Sequence, residues 1–85
     1  MNITLRFFAS VREQLGTSQE TLTLPDGVNT VAAVRTLLAA RGGVWSQALA
    51  GEQSLRTAVN HVMCSADTAL EDGCEVAFFP PVTGG

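Results

Sequence analysis

The sequence contains no lysine and no tyrosine, and only 15% of its 85 residues are charged. All five of its strongly basic residues are arginines, and eight carboxylates give a net charge of −3. The arginines are scattered along the chain and form no basic stripe that could neutralise a run of phosphates. These features argue against a nucleic-acid partner.

The sequence also lacks the usual signs of a metal site, a membrane span or a leader. Cys64 and Cys74 are too far apart for a CxxC motif, so we expect reduced, buried thiols. His61 has no carboxylate or cysteine at ligand spacing, so no metal site is expected. No apolar run approaches the ~18 residues of a membrane span, and the start does not resemble a signal peptide. We therefore expect a cytoplasmic protein with no membrane partner.

Hydrophobic periodicity predicts a single small domain that contains both strands and helices. Alternating apolar residues predict strands over residues 3–7, 20–24, 57–64 and 74–79. The spacing of Val31, Val34, Leu37 and Leu38 predicts one long helix, with Asn29 or Thr30 as its N-cap, that ends at Gly42-Gly43. Short helical turns are expected near residues 10–15 and 44–49.

The order of these elements predicts an α+β fold of the β-grasp type. Two tightly joined N-terminal strands should form a hairpin, and the main helix must cover the apolar face of the sheet. We expect a mixed sheet of about five strands, in which the first and last strands can lie side by side and parallel. The domain is predicted to span residues 1–79, and residues 80–85 are predicted to form an extended tail.

The tail carries the clearest chemical signal. Two prolines favour an extended conformation of ~3.1 Å per residue, and six extended residues reach at most about 20 Å. Glycine has no Cβ, so Gly84 and Gly85 could enter a narrow channel and leave the Gly85 carboxylate unhindered for attack on the α-phosphate of ATP. The chain has no phosphate-binding loop, so a separate enzyme would have to perform this activation.

Strand parity predicts an apolar patch on the face of the sheet away from the core. Because side chains alternate across a strand, Phe8 and Phe79 should lie opposite the core-facing residues of their strands. On the third strand Val62 is predicted to point inward, which leaves His61 and Met63 outward. Such patches often bind partners, although scattered apolar residues are ordinary on protein surfaces.

The C-terminal residues resemble a known family. Residues 70–85, LEDGCEVAFFPPVTGG, are closely similar to the end of the molybdopterin synthase small subunits, the MoaD family, which is ubiquitin-like and related to ThiS. Residues 7–13 and 58–60 resemble that family's first and third strands. Cys74 departs from the family pattern, in which an acidic residue is commoner at this position.

The resemblance implies a sulfur-carrying function. An E1-like enzyme would use ATP to adenylate Gly85, and a sulfur donor system would convert it to a thiocarboxylate. The tail would then enter the large subunit of molybdopterin synthase and give its sulfur to cyclic pyranopterin monophosphate. Two small subunits would flank a dimer of large subunits. The chain itself would be no enzyme and would bind no cofactor or metal, because the catalytic pocket lies on the large subunit.

The residues expected to act fall into two groups. Gly85 carries the reacting carboxylate, and Gly84 keeps the end of the tail unhindered. The predicted partner-binding residues are Phe8, Met63, Phe79, Pro80, Pro81, Val82 and Thr83.

Three other functions fit the same sequence. A sulfur carrier for thiamine, a tungsten cofactor or tRNA thiolation would have the same tail. A ubiquitin-like modifier would form isopeptide bonds through Gly85, although a chain without lysine cannot build lysine-linked chains on itself. A plain interaction domain would have an idle tail.

Overall fold

The computed structural model describes residues 1–50 and 54–81, and it has the α+β architecture that the sequence predicts. None of the helices in these two ranges is long and apolar enough to cross a lipid bilayer. The helices and strands are β1 (Asn2–Phe7), α1 (Ala9–Leu15), β2 (Gln19–Thr23), α2 (Val31–Ala39), α3 (Gly43–Leu49), β3 (Arg56–Val59), β4 (Val62–Cys64) and β5 (Glu75–Phe79).

The strands form one five-stranded sheet in the order β2-β1-β5-β3-β4. β1 and β2 form the expected antiparallel hairpin, whereas β1 and β5 are parallel, in register from Thr4 and Glu75 to Phe7 and Phe78. β5 is also antiparallel to β3, so the last strand occupies the middle of the sheet. This mixed sheet confirms the predicted β-grasp fold.

The hydrophobic core lies between one face of this sheet and the three helices. Leu5 and Phe7 of β1 are at most 1% exposed, and Val76 and Phe78 of β5 are fully buried, as their alternation predicts. The helices cover these side chains with further buried residues, which are Val11, Val31, Val34, Leu38, Ala48 and Leu49. All three helices therefore pack on the same face of the sheet.

A sharp corner joins β1 to α1. The Phe8 N–H donates to the Phe78 carbonyl at 3.2 Å and extends the parallel ladder by one residue. The chain then turns at Ala9, whose φ of 52° is uncommon for a residue other than glycine. α1 starts here, one residue before Ser10, and Gly16 ends it with a φ of 73°.

The main helix has the predicted start and an earlier end. Thr30 is the N-cap, and its side-chain oxygen accepts a hydrogen bond from the Ala33 N–H at 3.2 Å. α2 ends at Ala39 rather than at Gly42. Gly42 and Gly43, with φ of 78° and 56°, instead join α2 to α3. Positive φ is accessible to glycine because it has no Cβ.

Residues 57–64 were predicted to form one strand, and this prediction is wrong because they form a hairpin of two strands. β3 and β4 are joined at Asn60 and His61, whose φ of 50° and 68° are those of a tight two-residue turn. Asn60 is held by β5, because its N–H donates to the Glu75 carbonyl and its side-chain oxygen accepts from the Glu75 N–H, both at 2.9 Å.

Val62 lies on the predicted face of the sheet, but it is not buried. Val62 pairs with Val59, which in turn pairs with the buried Val76, so its side chain does lie on the core side of the sheet. It is nevertheless 67% exposed. β4 is an edge strand, and at this position Val62 extends beyond the area that the helices cover.

An ion pair fastens the edge strand β2 to the helical layer. Two Arg41 nitrogens donate to the two Glu20 carboxylate oxygens at 3.0 and 2.5 Å. The same guanidinium lies 4.3 Å from the centroid of the Trp45 ring, and that ring packs edge-on against Phe7 at 5.7 Å. The hydrogen bond from Arg41 lowers the pKa of Glu20, against a smaller opposing effect of burial.

We predict that Glu20→Gln lowers the free energy of unfolding by about 0.5–1 kcal/mol at neutral pH, the range for a partly exposed ion pair. Because the pKa of Glu20 is lower in the folded chain, its stabilisation is complete above the unfolded-state value of about 4.3 and is lost as the pH falls through the folded-state value. Urea unfolding measures the free energy of unfolding of the variant and the parent at about pH 7 and about pH 3. The difference between the two proteins should be smaller at the lower pH. Glu13→Gln, an exposed change on α1, is the control. An equal loss at both pH values would contradict this account.

Candidate partner-binding face and root of the tail

The face of the sheet opposite the three helices is called the outer face here. Parity and register assign its residues, because directly paired residues point to the same side of a sheet. No helix of the described residues covers this face, since all three contribute to the core on the other side. Its members near the centre of the sheet are Thr4, Arg6, Phe8, Arg56, Ala58, Met63, Glu75, Ala77 and Phe79.

Two phenylalanines form an aromatic pair on the outer face. The Phe8 and Phe79 rings lie 6.4 Å apart between centroids, at an interplanar angle of 83°. Each is placed by the sheet, since Phe79 is the last residue of β5 and Phe8 continues the ladder of β1. Phe8 is 39% exposed, which is unusual for a large apolar side chain held in a fixed position. The structure thus brings together two of the residues that the sequence assigns to a partner patch.

Met63 lies on the same face but apart from the aromatic pair. It belongs to β4 and pairs with Ala58, which pairs with Ala77 of β5. Two strand spacings, roughly 10 Å, separate β4 from β5. Met63 is 56% exposed, whereas the alanines between it and β1 are less than 9% exposed. The predicted three-residue cluster is therefore an aromatic pair and a separate methionine, with small residues between them.

Charged groups adjoin this apolar surface. The Arg6 guanidinium carbon lies 5.5 Å from the Phe8 ring centroid, and one Arg6 nitrogen lies 3.7 Å from a Glu75 carboxylate oxygen. The other oxygen of Glu75 is 3.4 Å from Nε2 of His61. Parity alone places Arg6 beside Phe8. Arg56 was missed because it lies one residue before the predicted third strand, yet it pairs directly with Phe79.

The tail leaves the domain beside the aromatic pair. Pro80 and Pro81 follow Phe79 directly and are half-buried. Because β5 is the central strand, the tail starts from the middle of the sheet and at the same end as Phe8. The remaining predicted tail residues, Val82, Thr83, Gly84 and Gly85, lie outside the described residues.

The two cysteines and the histidine form no alternative centre in the part of the chain that the structure describes. Cys74 is buried and Cys64 is half-buried, and both are free thiols. Groups of three or more metal-ligating side chains are absent from residues 1–50 and 54–81. The candidate site therefore consists of the outer face and the root of the tail.

The sequence matches a known family over most of its length. The model of the family described as the ThiS family matches residues 5–85, from the middle of β1 to the end of the tail. The chain belongs to the ThiS family. Over 83 residues it is also 46% identical to the molybdopterin synthase sulfur carrier subunit of Escherichia coli strain K12, a match that covers 98% of this chain and 99% of that protein. The resemblance drawn from the C-terminal residues is thereby confirmed.

Solved structures of other proteins have the same ubiquitin-like fold as this chain. The HVO 2177 protein of Haloferax volcanii is 32% identical with a TM-score of 0.78, and the match covers 100% of this chain and 87% of that one. A chain in the complex of subunits 1 and 2 of the molybdopterin-converting factor from Helicobacter pylori has a TM-score of 0.69 at 21% identity, with complete coverage of both chains. At that identity the likeness shows the fold alone.

Proposed function

We propose that the chain is the sulfur carrier subunit of molybdopterin synthase, and that the carboxylate of Gly85 carries the sulfur. The observation that supports this most strongly is the full-length match to the carrier subunit of Escherichia coli, together with a family match that extends through Gly85. The name of that relative favours molybdopterin synthesis over the other sulfur-transfer pathways and over protein modification.

The proposed chemistry begins with activation, because a free carboxylate is a poor acyl donor. The Gly85 carboxylate attacks the α-phosphate of ATP on an E1-like enzyme, and pyrophosphate leaves. Hydrosulfide released by a donor system then attacks the carbonyl of the acyl adenylate, AMP leaves, and the hydrosulfide proton is lost. The product is a thiocarboxylate at Gly85. In this scheme ATP belongs to the activating enzyme, and the carrier itself holds no cofactor.

The proposed acceptor is cyclic pyranopterin monophosphate bound by the large subunit of molybdopterin synthase. There each thiocarboxylate gives up one sulfur, and an oxygen from water restores its carboxylate. Two carriers therefore supply the two sulfurs of one dithiolene. The complex of subunits 1 and 2 from Helicobacter pylori offers a precedent for pairing a chain of this fold with a second subunit. We propose that two carriers flank a dimer of large subunits.

The outer face is the proposed docking surface for the large subunit. Its aromatic pair is exposed, is fixed by the sheet and lies at the point where the tail leaves. Docking there would hold the root of the tail against the partner while the glycines extend up to about 20 Å further. The proposed contacts are Phe8, Met63 and Phe79 on the face, and Pro80, Pro81, Val82 and Thr83 along the tail.

We predict that Gly85 becomes a thiocarboxylate. The chain is incubated with ATP, an E1-like activating enzyme and a sulfur donor, and its intact mass is measured. The expected gain equals the replacement of one oxygen by sulfur, and a variant that lacks Gly85 should show none. No gain in the parent, with an activating enzyme shown to be active on another carrier, would contradict the proposal. Slow-migrating conjugates with other proteins would favour the modifier function instead.

We predict that Phe79→Asp weakens binding of the large subunit by about 30-fold or more, the usual size for a central aromatic contact. The domain should stay folded, with a loss in unfolding free energy below about 1.5 kcal/mol, because Phe79 is only half-buried. By comparison, removal of the buried ring in Phe78→Ala should reduce stability by about 3–5 kcal/mol. Calorimetric titration measures the affinity.

The matched control is Thr21→Asp, which places the same charge on the same face of the sheet but on the edge strand β2. It should bind the large subunit like the parent. Unchanged affinity of Phe79→Asp would exclude the outer face as the docking surface.

A further inference from the structure

The centre of the outer face is positive in a chain that is acidic as a whole. Two arginines lie there, Arg6 on β1 and Arg56 on β3. Among the described residues at the centre of this face the only carboxylate is that of Glu75 on β5, which lies near Arg6. The complete sequence has the opposite balance, with eight carboxylates and five arginines. A partner that approaches this face therefore meets a local charge opposite in sign to the net charge.

Both arginines have hydrogen-bond donors that no described residue uses. Arg6 approaches Glu75 no closer than 3.7 Å, which is too long for a hydrogen bond. Its Nε atom is buried and has no partner within residues 1–50 and 54–81. Arg56 is exposed, and its guanidinium makes no ion pair with any described residue. Arg41, in contrast, is bonded to Glu20 through two nitrogens.

Each arginine adjoins a different ring of the aromatic pair. The guanidinium carbon of Arg6 lies 5.5 Å from the centroid of the Phe8 ring, and Arg6 precedes Phe8 by two residues on the same face of the sheet. Arg56 is the direct cross-strand neighbour of Phe79 on the β3 side. The aromatic pair therefore has a cationic group next to each of its two rings. A planar guanidinium with free donors matches a carboxylate, which can accept two of its N–H groups at once.

We propose that Arg6 and Arg56 are specificity-determining residues of the outer face, and that its partner presents a carboxylate to each of them next to an apolar centre. The inference rests on the proposed function, in which the large subunit docks on this face. It specifies the contact surface of the large subunit, which would have an apolar centre and a carboxylate opposite each of the two arginines.

A second copy of this chain fits the face poorly. If two copies met through their outer faces, the only carboxylate that the described central residues of each face would offer is Glu75, which already lies near Arg6 and His61. Two arginines on each copy would then meet one shared acceptor, so like charges would oppose each other. The charge pattern therefore favours a different, acidic protein over self-association.

The test measures binding of the large subunit by calorimetric titration at several salt concentrations. Arg6→Gln and Arg56→Gln should each weaken affinity about tenfold, the loss expected for one charge-assisted hydrogen bond. Both should also reduce the dependence of affinity on salt. Arg56→Lys should restore part of the loss because it keeps the charge. The matched control is Arg12→Gln, which removes the same charge from the exposed surface of α1 and should bind like the parent.

Two results would overturn the inference. In the first, Arg6→Gln and Arg56→Gln are folded, as thermal unfolding would show, and they bind the large subunit as tightly as Arg12→Gln does. If Phe79→Asp still bound weakly, the outer face would remain the docking surface, and only the role of the two arginines would be wrong. The other is that the parent alone sediments as a dimer that Arg56→Gln dissociates, which would assign the face to a second copy. Normal binding by Phe79→Asp would instead exclude the outer face as the docking surface, the part of the proposed function on which this inference rests.

Discussion

The parallel pairing of β1 with β5 organises both sides of the molecule. On the core side it aligns Leu5 with Val76 and Phe7 with Phe78, all of which are at most 1% exposed. The same ladder continues for one more residue, where the Phe8 N–H bonds to the Phe78 carbonyl. This hydrogen bond, together with those that the Phe8 carbonyl accepts from the first turn of α1, holds Phe8 beside Phe79 on the opposite side. Core packing therefore fixes the geometry of the exposed aromatic pair.

The position of β5 at the middle of the sheet explains how a small domain can aim a tail. A strand paired on both sides has little freedom to shift, so Phe79 and the prolines that follow leave from a fixed point. Because the aromatic pair lies at that point, a partner that binds the outer face also receives the root of the tail. Binding of the partner and placement of the tail would then both depend on β5. Substitutions that disturb the core around β5 would therefore impair both.

Strand periodicity allowed the sequence to predict the sheet, its core face and the approach of Phe8 to Phe79, since these depend only on alternation. The β3–β4 turn was missed because Asn60-His61 lacks the glycine that marks most tight hairpin turns. The exposure of Val62 was missed because alternation assigns a face of the sheet but does not show how far the helices extend over it. Arg56 escaped notice because its importance comes from its pairing with Phe79, a long-range contact.

The most direct test of the account follows the sulfur from the carrier to its acceptor in a single turnover. The purified thiocarboxylate form is mixed with the large subunit and cyclic pyranopterin monophosphate, and the intact mass of the carrier is followed over time. We expect the carrier to lose the mass difference between sulfur and oxygen, with two carriers converted for each dithiolene that forms. A thiocarboxylate that persists at its original mass, while the carrier is bound to an active large subunit with its substrate, would contradict the account.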